Sequence, residues 1–193
     1  NVGAGAGAQV GRLMGPTFTC KSGLGSALID IGDGLQVGAL FVVNALGDVI
    51  DEQGHILAGT RQPPAGDTFL DAMTMLPMMA RYQADGNTQN AQSAQNTVIG
   101  VVATNAALTK EETNKVAQMA HDGLARAIRP AHMMMDGDTI FALATGSAGR
   151  ANVSVIGAYA AEAAAQAIRR AVQVTQPLAG RPTGASLTNL DRQ

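Results

Sequence analysis

Thr97 is the first residue whose setting suggests chemistry. Before it runs a polar stretch, Asp85-Gly86-Asn87-Thr88-Gln89-Asn90-Ala91-Gln92-Ser93-Ala94-Gln95-Asn96, which reads as a mobile loop or a disordered segment. After it, without transition, comes Thr97-Val98-Ile99-Gly100-Val101-Val102-Ala103-Thr104, which reads as a buried strand. Cutting the peptide bond before Thr97 would leave a free α-amine beside the hydroxyl. An amine so placed serves as general base to its own nucleophile. A threonine at a loop-to-strand boundary is ordinarily only that, and the spacing does not decide between the two readings.

A second constellation is Asp136-Gly137-Asp138, also directly ahead of a strand. Carboxylates at i and i+2 share a face of extended backbone. Like charges so close separate in proton affinity, so that one holds a proton while the other stays ionised. An acidic turn around a glycine is the plainer alternative. Lys21 stands in a glycine-flanked stretch, as a solvated cation or as one beside a nucleophile or developing oxyanion. Asn44 ends an apolar run, as a turn former or a site residue. His55, His121 and His132 show no metal-ligand spacing with one another or with Cys20. There is no Gly-x-Ser-x-Gly elbow, and no dinucleotide reading of Gly3-Ala4-Gly5-Ala6-Gly7, which no strand precedes.

The elements that must position these residues follow from pattern. Strands are predicted near 27–31, over 36–43 and at 55–58, with a hairpin turn at Gly32-Asp33-Gly34. The run 36–43 is apolar enough to be covered on both faces. Phe69 to Met79 reads as a short helix broken at Pro77, rich in methionine. Thr109-Lys110-Glu111-Glu112 is a capping box that opens a helix with Val116, Met119, Ala120, Leu124, Ala127 and Ile128 on one face. A strand over 139–145 and an Ala-rich helix from about 152 to 174 follow, and the tail after Pro177 reads as an extended arm or as disordered. Two-sided strands interleaved with helices favour a layered α+β sandwich.

Composition narrows the function classes. The 193 residues suffice for one substantial domain, and a net charge of −2 without charge blocks recommends neither nucleic acid nor an anionic membrane as partner. No apolar run approaches the roughly 18 residues of a membrane span. A single cysteine provides no disulfide framework within the chain and is compatible with a cytoplasmic setting. The abrupt start at Asn1, without methionine, suggests that an N-terminal portion is missing.

Taken together the wording resembles that of the DmpA-like aminopeptidases. The residues that carry it are Asn96 through Lys110, Ala120 through Pro130, and Asp136 through Gly146, with Val2-Gly3-Ala4-Gly5, Lys21 through Ser26 and Val42-Val43-Asn44-Ala45 earlier. The threonine at the cleavage point is similar to the family's nylon-oligomer-hydrolysing branch; the aminopeptidase branch mostly carries Gly-Ser there. The resemblance implies a four-layer α/β/β/α sandwich of N-terminal-nucleophile type. It implies self-cleavage at Asn96-Thr97 into an α part, 1–96, and a β part, 97–193, that stay associated as a single hydrolase domain. By position, Thr97 becomes the nucleophile, Asp136 and Asp138 orient and polarise it, and Lys21 and Asn44 line the site, Asn44 as oxyanion donor. No metal or organic cofactor is implied. The expected substrate is an oligoamide such as a 6-aminohexanoate oligomer, or a peptide-like amide. The expected assembly is a homo-oligomer, a tetramer by resemblance.

Two departures stand out: the family's first strands and loops are absent, and Asn105 stands where the family often has aspartate. The alternatives to the oligoamide hydrolase are an aminopeptidase, amino-acid amidase or esterase of the same family and, in another class, a non-catalytic assembly protein. The Met-rich stretch and the Ala-rich helix would be the interface of the last.

Overall fold

The computed structural model describes residues 1–82 and 96–188. The polar run ahead of Thr97 lies outside them, apart from Asn96. The centre is a four-stranded sheet made of β3 (Leu24–Gly32), β4 (Leu35–Asn44), β7 (Thr97–Thr104) and β9 (Thr139–Ala144), in that order across the sheet. β3 and β4 form the expected hairpin, turning through Asp33 and Gly34, both at positive φ (52° and 75°). Two consecutive left-handed residues suit the right-handed twist of the strands they join. β4 pairs antiparallel with β7, and β7 pairs parallel with β9. A parallel pair needs a crossover, and α2 (Lys110–Ala127) lies on it.

Two short sheets flank the centre. β1 (Gln9–Val10) pairs with β2 (Cys20–Lys21), and β5 (Asp48–Ile50) pairs with both β6 (Ile56–Ala58) and β8 (Ile128–Arg129). Asp48 ties the second to its loops. Its carboxylate is buried and accepts from the N–H groups of Thr60 and Ala72, each at 2.7 Å. Burial nonetheless pushes its pKa up to about 6.

α2 starts as its sequence dictates. Thr109 Oγ1 accepts from the Glu112 N–H while a Glu112 carboxylate oxygen accepts from the Thr109 N–H. Arg150 then grips the same carboxylate with two bonds, at 2.8 and 2.9 Å. The long helix α3 (Val153–Gln173) is capped by Asn152, whose side chain accepts from the N–H groups of Ser154 and Val155. α3 lies across β3 and β4, and α2 packs against β9 and α3. Between them sits the core: Val37, Ala39, Phe41 and Val43 of β4, Val98 and Val102 of β7, and the buried alanines of α3.

Small residues set how closely these layers meet. A Cβ on Gly123 of α2 would overlap the Ala161 carbonyl oxygen of α3, and one on Gly25 would overlap the α3 backbone at Ala167. Gly123→Ala is expected to destabilise the fold by about 2 kcal/mol, lowering the melting temperature by roughly 4–8 °C. That loss persists although alanine is the better helix former by about 1 kcal/mol. A thermal melt in which this variant matched or exceeded the wild type would show that the helices stand further apart.

The sequence expectations need three corrections. β4 is covered on one face only among the described residues. Leu40 of β4, Leu28 of β3, Ile99 of β7, and Phe141 and Leu143 of β9 line an exposed apolar face opposite the helices. Next, α1 (Ala72–Tyr82) runs through Pro77 instead of breaking there, giving up one backbone bond toward Met73. Finally, the tail is no free arm as far as Thr188. The Lys21 N–H bonds the Pro182 carbonyl, α4 (Gly184–Thr188) forms, and Leu187 is buried. Among the described residues no helix is long and apolar enough to cross a membrane.

Candidate active site

Topology brings the candidate residues to one end of the central sheet. β7 and β9 run parallel, so the turn that opens β9 lies beside the residue that opens β7. β4 runs against them, so its last residue falls at the same end. Asn44 is the direct strand partner of Thr97. Asn96 forms an isolated parallel bridge with Asp136, and Gly137 follows next to Thr97.

The scissile carbonyl predicted from the sequence is held from two sides. Thr97 Oγ1 donates to the Asn96 carbonyl oxygen at 2.7 Å, and the Gly137 N–H donates to the same oxygen at 2.9 Å. Gly137 must be small here: a Cβ on it would lie 2.7 Å from Thr97 Oγ1. The Asn96 residue is buried, and its side-chain oxygen makes no hydrogen bond among the described residues.

The two aspartates bracket the junction. Asp138 Oδ1 accepts from the Val98 N–H at 2.9 Å, which fixes the backbone immediately after Thr97. Asp136 Oδ2 accepts from the Met133 N–H at 2.9 Å, closing the turn, and its other oxygen is buried and unpartnered among the described residues. Burial raises the pKa of Asp136, and the neighbouring Asp138 charge adds to the rise against the Met133 N–H and His132. Asp136 therefore takes a proton more readily than an ordinary carboxylate. Neither carboxylate bonds the Thr97 hydroxyl, which is already spent on Asn96.

Asn44 lies beside Thr97, and Lys21 is linked to it only through Gln9. Asn44 Oδ1 accepts from the Gln9 N–H at 3.1 Å and from Arg12 Nη1 at 3.5 Å. Those bonds fix the amide with its oxygen toward Gln9 and Arg12. Gln9 in turn is the strand partner of Lys21. Lys21 is buried, and its ammonium donates to the carbonyls of Gly5 (2.9 Å), Ala8 (3.0 Å) and Ser22. All three donors are thus used on backbone, and the structure does not bring the ammonium onto Thr97. Burial, reinforced by Arg181, lowers its pKa.

Two histidines that spacing left without a role join this end of the molecule. His132 Nδ1 stands 3.3 Å from Asp138 Oδ2, and His132 Nε2 is 3.3 Å from His121 Nδ1. His121 comes from α2, so no short-range pattern links the pair. The glycine-rich start also has a structural role. Gly5 carries no side chain because a Cβ there would lie 2.8 Å from the Leu24 nitrogen. Asn105, where the resemblance led one to expect aspartate, is remote from this chemistry. It accepts from the Gln36 N–H and donates to the Gly34 carbonyl, bracing the β3–β4 turn, and an aspartate has no N–H for the second bond.

The chain matches the family model of peptidase family S58 over residues 1–185. It belongs to that family, the DmpA-like family its motifs resemble. An uncharacterized aminopeptidase of Mycobacterium leprae is 39% identical over 196 residues, covering 94% of this chain and 51% of that protein. A 6-aminohexanoate-oligomer endohydrolase of Kocuria sp. is 30% identical over 190 residues, covering 89% and 50%. The chain thus spans about half the length of these curated relatives. Among solved structures, a β-aminopeptidase of Burkholderia sp. superimposes with a TM-score of 0.61 at 20% identity, over 97% of this chain and 52% of the other. The L-aminopeptidase D-Ala-esterase/amidase of Ochrobactrum anthropi, a variant of the Ntn-hydrolase fold, gives 0.55 at 18% identity, over 92% and 45%. These likenesses show the fold: this chain is an α+β protein of the Ntn-hydrolase type.

Proposed function

We propose that the protein is a self-cleaving amide hydrolase with Thr97 as its nucleophile. One observation carries this reading: the Thr97 hydroxyl rests on the carbonyl oxygen of its own preceding residue, and the Gly137 N–H holds that oxygen from the other side. In self-cleavage Thr97 Oγ1 adds to the Asn96 carbonyl carbon. The oxygen that gains charge already has the Gly137 donor in place. The C–N bond breaks, the hydroxyl proton passes to the departing Thr97 nitrogen, and an ester joins Asn96 to Thr97 Oγ1. Water hydrolyses that ester, leaving an Asn96 carboxylate and a Thr97 with both hydroxyl and free amine.

Turnover repeats the chemistry on substrate. The amine, whose pKa in water is about 8, takes the hydroxyl proton as Oγ1 attacks an amide carbonyl. The proton goes on to the leaving amine, and water then releases the acyl group from Thr97. Asn44 supplies the donor for the substrate oxyanion. Asp138 holds the strand start through Val98, and Asp136 beside it tunes the field at the amine.

The substrates proposed are linear, peptide-like amides, with 6-aminohexanoate oligomers as the specific case. Thr97 at the junction and the 30% identity to the Kocuria endohydrolase support that case. Release of N-terminal residues is the second reading, supported by the 39% identity to a protein named as an aminopeptidase. The assembly reading loses one of its supports, since every alanine of the Ala-rich helix except Ala158 is buried. Digestion of one oligoamide in two forms, amino-blocked and free, separates the two enzymatic readings. Internal cleavage of the blocked form is expected. Stepwise release from the free form alone would replace the oligomer hydrolase by an aminopeptidase.

A further inference from the structure

Asp138 reaches the nucleophile strand with one oxygen and His132 with the other. Its Oδ1 holds the Val98 N–H, next to Thr97, while its Oδ2 faces His132 Nδ1 at 3.3 Å. Behind His132 stands His121, ring centroids 4.9 Å apart and planes tilted by 53°. The order Val98, Asp138, His132, His121 therefore runs continuously from strand start to helix α2. The backbone of His132 is itself unusual. It has φ of 56°, a left-handed conformation that few residues other than glycine and asparagine adopt readily. A side chain held in place at that cost points to a specific task.

We propose that His132, backed by His121, is a positioning residue that holds the Asp138 carboxylate against the start of β7. The inference rests on the function proposed above. His132 Nδ1 faces Asp138 Oδ2, the carboxylate oxygen that the Val98 N–H does not use. The His121 ring stands on the far side of His132 and sets the orientation of its imidazole. The other charged groups near the pair are Asp136 from the turn before β9 and Asp122 from α2. Burial lowers the pKa of His121, and His132 lowers it further, against the pull of Asp138 and Asp122, which favours a neutral ring behind His132.

The test uses two substitutions that both tolerate the left-handed backbone. His132→Gly removes the imidazole, and His132→Asn keeps an amide N–H where Nδ1 stands but cannot titrate. The His132→Gly variant should cleave itself and turn over amide roughly 10- to 100-fold more slowly. Its KM should stay within about threefold and its melting temperature near that of the wild type. Added imidazole should restore part of the rate, because the site is open to solvent at His132, whose side chain is 39% exposed. The His132→Asn variant should recover most of kcat. Wild-type kcat and cleavage rate in the His132→Gly variant would overturn the inference. So would equal losses in both variants without rescue by imidazole. If the wild type itself neither cleaves nor hydrolyses amides, the proposed function fails instead.

Discussion

A Thr97→Ala protein is expected to migrate as one uncut chain and to hydrolyse amides roughly 10⁴-fold more slowly than the wild type, or worse. Two losses combine in this variant. Without Oγ1 nothing attacks the Asn96 carbonyl, and without cleavage the amine that would act as base stays locked in a peptide bond. Thr97→Ser restores the hydroxyl and should restore both cleavage and turnover to within about tenfold. The fold should not suffer in either variant. Thr97 is only half-buried, and its side chain makes one hydrogen bond among the described residues, to the carbonyl it is meant to attack. Denaturing gels and initial rates on purified protein decide the matter. Full turnover by an uncut Thr97→Ala protein would remove Thr97 from the mechanism.

Gly137→Ala is expected to slow self-cleavage by about 10²-fold without unfolding the protein. The backbone at Gly137 is not left-handed, so alanine is permitted there. Its N–H, the donor to the scissile carbonyl, is also kept. What changes is space, because the new Cβ would lie 2.7 Å from Thr97 Oγ1 and the hydroxyl must rotate or retreat. A nucleophile displaced by about 1 Å forfeits most of its orientation. The half-time of cleavage, followed from a freshly refolded precursor, measures the effect. A wild-type half-time would mean that the hydroxyl attacks from a position other than the one seen here. Gly137→Pro goes further by deleting the N–H, and should be slower still.

How far the sequence could be read depended on whether the relevant neighbours were local. The capping box at Thr109 and Glu112, the turn at Asp33-Gly34 and the extent of α3 depend on short-range signals, and each lies close to where pattern put it. The junction at Thr97 was visible because polarity changes within one residue. Its meeting with Asp136-Gly137-Asp138 required knowing that β7 and β9 are parallel neighbours, which no local signal supplies. Lys21 read either as a solvated cation or as a site cation, because nothing in its surroundings predicts three carbonyls folding over its ammonium. The histidine pair was invisible for a related reason. His121 leaves a helix and His132 a turn, and they meet only because α2 ends at the edge of the site. The apolar run of β4 misled in the opposite direction. Leu40, Ile99 and Phe141 have the side chains of a covered face, yet among the described residues nothing covers it.

The most direct test of the central claim is the intact mass of the purified wild-type protein with its new N-terminus sequenced. The account predicts two chains that co-purify and separate only on denaturation, the second beginning at Thr97. A single uncut chain that still hydrolyses amides, or a cut at any other bond, would contradict it.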